Sequence, residues 1–112
     1  MAEFAYLYRE VDKGPASPQE MQERLKNWTA WFQDLQAKGH IKQRGVPLTV
    51  GGATVKGRER QVHDGPYAES KDIVMGVTVV EARDLAQAIE LARGCPVLDS
   101  GGLVEVRPVR QL

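Results

Sequence analysis

Ile73 to Val80 (IVMGVTVV) is the passage that most constrains the fold. It is almost continuously apolar and β-branched, which suits a central strand. Successive side chains on a strand point to opposite faces. Here both parities are apolar: Ile73, Met75, Val77 and Val79 on one, Val74 and Val80 on the other. Phe4 to Tyr8 (FAYLY) has the same two-sided character. An antiparallel sheet with one face in water would instead alternate apolar and polar residues. The chain therefore has to cover both faces of its sheet.

Two helices supply cover for one face. Ser17, Pro18 and Glu20 form an N-terminal helix signal: a capping hydroxyl, a proline tolerated in the first turn, and a carboxylate that closes a capping box. Met21, Leu25, Trp28, Phe32 and Leu35 then recur at spacings of three and four, and Trp31 widens the stripe. Lys38 suits the negative end of the helix dipole and Gly39 a left-handed ending. A second helix starts at Asp84, with Gln87 at the capping-box position. It buries Leu85, Ala88, Ile89 and Ala92, and it stops at Gly94 and Pro96.

Between the helices, Leu48 to Lys56 and Glu59 to His63 read as strands joined at Lys56-Gly57-Arg58, with Gly51-Gly52 weakening the first. Asp64-Gly65-Pro66 is a turn signal, and Leu103 to Val109 is a last strand with Pro108 near its end. The order is β-α-β-β-β-α-β. It predicts one α+β domain over residues 1–112: a ferredoxin-like split βαβ sheet with an extra hairpin strand. Two helices leave the other sheet face bare, and a bare apolar face marks an interface. A homodimer packed sheet to sheet is the economical solution.

Composition removes several function classes. Fifteen basic residues balance fifteen acidic ones, so there is no cationic surplus for nucleic acid or an anionic membrane surface. No apolar run approaches the roughly 20 residues of a membrane span. The N-terminus (MAEFAYLYRE) has neither the basic nor the long apolar region of a signal peptide. The single cysteine, Cys95, forms no internal disulfide, and the expected location is cytoplasmic. Cys95 follows a helix C-terminus, which disfavours a thiolate, so it reads as inert. His40 and His63 have no metal-ligand spacing, and no glycine-rich phosphate loop or serine elbow is present. No metal and no cofactor is expected.

His63 and Asp64 are the first catalytic candidates, because an imidazole titrates near neutrality and a carboxylate can orient it. They face one pocket only if the turn begins at Asp64. Otherwise Asp64 caps the turn and His63 is an ordinary strand residue. Glu69 and Lys71 follow the turn as candidate binding residues, or as parts of a solvated loop or an intersubunit ion pair. Arg107 offers a planar fork for a carboxylate, or pairs with Glu105. Tyr6 and Tyr8 share a strand face, where they pack in the core or interface or flank a pocket. Trp28 and Trp31 read as core residues.

Three passages together resemble a known family. Pro18 to Gly39 carries P-x-x-M, W-x-x-W and L-x-A-x-G; His63 to Lys71 reads HDGPYAESK; Glu105 to Val109 reads EVRPV. This is similar to the YCII-related proteins, in the branch with a D-G-P-F motif, with Tyr67 in place of the phenylalanine. The resemblance implies a dimeric α+β barrel of ferredoxin-like subunits packed sheet to sheet. It also implies a largely uncharacterised family. A few members are small-molecule enzymes, one a dehydrochlorinase of a hydroxyquinone, and many are linked to alternative sigma factors by gene context. It directs attention to a pocket beside the dimer seam near the Asp64 turn, with Tyr8, Tyr67, Glu69, Lys71 and Arg107 as binding residues. Met75-Gly76-Val77 stands where relatives have Gly-Gly-aromatic. Trp28 stands where the original branch has a helical histidine paired with an aspartate, so that dyad is not carried over.

Three functions remain in view. The first is a homodimeric small-molecule binding or regulatory module. The second is a lyase or isomerase, dehydrochlorinase-like, acting on a small ring-derived acid; His63 or Asp64 would move the proton and Arg107 or Lys71 hold the anion. The third is a protein-interaction module linked to transcription regulation. The missing helical histidine favours the first and third.

Overall fold

The computed structural model describes residues 1–68 and 71–112. Along the chain run β1 (Ala2–Val11), α1 (Pro18–Ala37), β2 (Ile41–Pro47), β3 (Ala53–Lys56), β4 (Gln61–Asp64), β5 (Asp72–Ala82), α2 (Leu85–Ala92), a 3-10 turn (Pro96–Ser100) and β6 (Leu103–Pro108). Among the described residues, β2, β5, β1 and β6 form a four-stranded sheet in that order, with every neighbouring pair antiparallel. Trp31 and Leu35 of α1 and Ala88 and Ala92 of α2 enter one buried cluster with Phe4, Tyr6, Tyr8, Val80 and Ala82 of the sheet. Both helices therefore lie on one face. This is the ferredoxin-like α+β arrangement.

Both helix starts use the chemistry their sequences predict. Ser17 Oγ accepts from the Glu20 N–H at 3.1 Å and donates to Glu20 Oε1 at 3.1 Å. Asp84 Oδ1 accepts from the Gln87 N–H at 2.8 Å, while Gln87 Oε1 accepts from the Arg83 N–H at 2.6 Å. Each cap satisfies one backbone donor that the first helical turn leaves free, at Glu20 and at Gln87, and the Gln87 side chain satisfies the Arg83 N–H as well.

Strand β2 escapes sequence reading. Six of its seven residues are exposed, so it has no apolar alternation, and it holds both Gly45 and Pro47. The strand pairs with β5 through two register shifts. Gly45 has φ 78°, and a Cβ there would sit 1.7 Å from the Val77 carbonyl oxygen. Only glycine lets this edge strand approach β5 so closely. Leu48 to Val50, expected in a strand, lie outside any.

The extra hairpin is present but stands apart from the main sheet. Among the described residues, β3 and β4 pair only with each other, from Ala53↔Asp64 to Lys56↔Gln61. Their loop runs from residue 57 to 60, with Gly57 at φ 76° and Arg60 at φ 56°. The ribbon makes the molecule broad: the radius of gyration is 15.4 Å, against about 13 Å for a compact chain of this length.

A register shift in the β1–β5 pairing falls between Tyr8 and Arg9, where Tyr8 faces Gly76 and Arg9 faces Val74. The shift moves Met75 out of the alternation. Ile73, Thr78, Val80 and Ala82 are buried on the helix side, and Val74, Val77 and Val79 are half-buried on the other. The open face thus holds Ala5 opposite Val79 and Leu7 opposite Val77. Salt bridges flank this apolar strip: Lys42 with Glu3 and Glu81 at 3.8 and 3.7 Å, and Glu105 with Arg9 and Arg107, both at 3.2 Å.

Candidate functional site

A cavity lies between α1 and the sheet, with Arg24, Leu25, Trp28, Thr29 and Phe32 on its helix side. Its volume is about 370 Å³, and its walls come from β1, α1, β2 and β5. Trp28, Phe32 and Tyr8 form the aromatic side: the Tyr8 and Trp28 rings meet edge-on at 4.9 Å, and Trp28 and Phe32 lie 5.7 Å apart. Gly76 makes room for this arrangement, since a Cβ there would stand 3.3 Å from Tyr8 Cδ2 and 3.2 Å from the Val46 carbonyl oxygen. Leu25, Pro47, Leu48 and Met75 add apolar wall.

Polar groups in the cavity are few. The Tyr8 hydroxyl donates to Thr78 Oγ1 at 2.7 Å, and Thr78 Oγ1 donates to the Arg44 carbonyl at 2.9 Å. Both protons of this relay are directed within the protein. Burial pushes the Tyr8 phenol well above its ordinary range, with the Thr78 hydrogen bond only partly offsetting it. Tyr8 is therefore a neutral wall residue at physiological pH and a poor proton shuttle. The Arg44 guanidinium lies 4.7 Å from the Phe32 ring centroid, within cation–π range. Arg24 and Glu10 complete the charged lining.

Of the candidate catalytic and binding residues that the structure describes, Tyr8 lines the cavity and His63, Asp64, Tyr67, Lys71 and Arg107 do not. His63 and Asp64 are exposed on the ribbon, opposite Thr54 and Ala53. As neighbours on a strand they do not converge. Their turn is held by the Gly65 N–H donating to the Gly52 carbonyl and by Thr54 Oγ1 donating to the Gly65 carbonyl, both at 2.9 Å. Tyr67 is 56% exposed, with Lys56 Nζ 5.9 Å from its ring. Lys71 is exposed after the turn. Arg107 is exposed and paired with Glu105. Glu69 lies outside the described residues.

His40 is buried, with Nδ1 2.8 Å from the Glu81 carbonyl oxygen. It ties the start of β2 to β5. Cys95 is buried too, and burial pushes its thiol up to about 12. Among the described residues, no three histidine, cysteine or acidic side chains gather as a metal site.

Sequence reasoning missed Arg44, Thr78 and the cavity role of Trp28. The helical spacing predicts Trp28 as core, whereas it is half-buried at the cavity. The available signals were the two glycines, Gly45 and Gly76, each standing where another backbone or ring approaches closely.

The YCII-related domain signature matches residues 5–112. The chain belongs to the YCII-related family. No curated protein matches this YCII-related sequence. Among solved structures it is similar to 5-chloro-2-hydroxyhydroquinone dehydrochlorinase (TftG) from Burkholderia phenoliruptrix AC1100, in complex with 2,5-dihydroxybenzoquinone. Identity is 20%, coverage is 92% of this chain and 90% of that one, and the TM-score is 0.43. Among the described residues of this YCII-related chain, no helix is long and apolar enough to cross a membrane.

Proposed function

We propose that this YCII-related protein is a homodimeric small-molecule binding module whose ligand enters the cavity between α1 and the sheet. The observation that carries the reading is the cavity itself. It has about 370 Å³, at the small end of the roughly 300–1,000 Å³ range of ligand pockets, and it combines apolar walls with a few polar groups in the usual way. Tyr8 is the sequence-derived candidate retained as a ligand contact. His63, Asp64, Tyr67, Lys71 and Arg107 stay outside the proposed site.

The homodimer rests on the open sheet face. Ala5, Leu7, Val77 and Val79 form a half-buried apolar strip there, flanked by the Lys42 and Glu105 ion pairs. A self-complementary two-fold contact buries such a strip economically. The lyase reading asks His63 and Asp64 to share a pocket, and their places on the exposed ribbon give it no support.

Light scattering tests the assembly: a dimer is expected, and Leu7→Lys should yield a folded monomer. A stable wild-type monomer at micromolar concentration overturns the homodimer. Thermal-shift screening of small ring compounds tests the cavity, with Thr78→Trp, which fills it, as the control. Shifts that survive the filled cavity place the ligand elsewhere.

A further inference from the structure

We infer that the ligand of this cavity is a planar aromatic monoanion, its ring held among Tyr8, Trp28 and Phe32 and its charged group by Arg44 and Arg24. The inference rests on the small-molecule reading above and names its ligand class.

The charge of the lining is the first argument. Arg9, Arg83, Arg93 and Arg107 each have a carboxylate within 3.9 Å. Arg24 and Arg44 line the cavity and have no carboxylate partner among the described residues. Arg58, Arg60 and Arg110 also lack one, but none of those three lines the cavity. Among the described residues, the one acid in the lining is Glu10, whose Oε2 accepts from Ser100 Oγ at 3.2 Å. Two guanidinium groups against one carboxylate leave a single net positive charge, which a monoanion neutralises. Guanidinium forks also match planar carboxylates in shape.

The walls supply the second argument. Trp28 stands edge-on to Tyr8, at an interplanar angle of 83°, so the two rings make a corner. Aromatic rings pack against such corners by offset stacking and edge-to-face contact. Arg44 already lies over the Phe32 ring. An anion meeting it there pairs with a guanidinium whose position is already set by the ring.

Isothermal titration with three matched compounds tests this: 2-naphthoate, its neutral isostere 2-naphthamide, and the saturated, non-planar decahydro-2-naphthoate. The naphthoate should bind at least about tenfold more tightly than either. Arg24→Gln combined with Arg44→Gln should bring naphthoate down to the naphthamide level and leave naphthamide binding unchanged, which also shows that the cavity survives the substitutions. Equal binding of naphthoate and naphthamide overturns the anion, and equal binding of the decahydro compound overturns the aromatic ring; in both cases the small-molecule cavity stands. Naphthoate binding undiminished in the double variant overturns the two arginines. Binding of none of the three overturns the cavity reading itself.

Discussion

The two halves of α1 carry one apolar stripe, yet they meet opposite surroundings. In the C-terminal half, Trp31 and Leu35 are 8% and 1% exposed and pack into the cluster with Tyr6, Val80, Ala88 and Ala92. Trp31 Nε1 donates to the Leu91 carbonyl at 3.3 Å, so α2 seats directly against it. In the N-terminal half, Met21 and Leu25 are 61% and 69% exposed, and Leu25 borders a cavity that Trp28 and Phe32 overlook from the near edge of the C-terminal half. Periodicity states which side of a helix is apolar, not what stands opposite it. The filled end is where the fold's stability resides, and the open end is where a ligand or a partner has room.

The largest expected effect tests the filled layer through pH. The Cys95 thiol rises from 9.0 to about 12 because it is buried, and the Tyr6 and Tyr8 phenols are raised for the same reason. In the unfolded chain these groups lose their protons at lower pH than in the native state. The stability they contribute is fully present below about pH 9 and is lost as pH rises toward the folded values. Denaturant midpoints should therefore fall steeply above about pH 9, ending in alkaline unfolding, and Cys95→Ala should flatten the first part of that slope. A midpoint constant across this range would mean that the layer is wetter than its packing indicates.

Substitution of the two tryptophans sets the cavity wall directly against the filled layer. Trp31→Ala should cost about 3–5 kcal/mol, as deletion of a buried aromatic does. Trp28→Ala, at a half-buried cavity wall, should cost only about 1–2 kcal/mol. Equal losses in urea unfolding would erase the distinction. Gly45→Ala comes next, at about 2–4 kcal/mol, because the new methyl meets the Val77 carbonyl and the backbone is left-handed. It acts on the β2 wall of the open end, so it should also weaken any ligand that the cavity holds.

The filled end was far more legible in the sequence than the open one. Its signals are local and repetitive: the capping box at Asp84, a stripe at helical spacing, a continuous β-branched strand. Each states its own conformation. The open end is made where β1, β2 and β5 meet α1, and β2 is exposed, glycine-containing and bulged, so it has no periodicity to read. The register shift opposite Tyr8 was equally silent, yet it decides which β5 residues face the helices. His63 and Asp64 attracted attention because their chemistry is conspicuous in a string of letters. The ribbon that carries them is a tertiary outcome, and it sets them apart from the cavity.

Tyr8 links the two ends, since its ring touches both Trp28 and Trp31 while its hydroxyl reaches Thr78. Tyr8→Phe keeps the ring and removes one buried hydrogen bond, a loss of about 1 kcal/mol. Thr78 still donates to the Arg44 carbonyl, so no polar group is stranded. A loss of several kcal/mol by calorimetry would mean that the relay holds β2 in place, making the cavity wall depend on that hydroxyl.

The smallest effect is expected at Leu25. At 69% exposure it contributes little to the isolated fold, and Leu25→Ser should alter stability by no more than about 0.5 kcal/mol. An exposed apolar residue on a cavity rim nonetheless loses water when something binds beside it. The same variant should therefore weaken binding of an aromatic ligand while leaving the unfolding midpoint of the free protein in place. If the free protein instead loses more than about 1 kcal/mol, and the loss grows with protein concentration, Leu25 is already covered by another copy. The open end would then be a second contact between copies, and the contrast between the halves of α1 would vanish in the assembly.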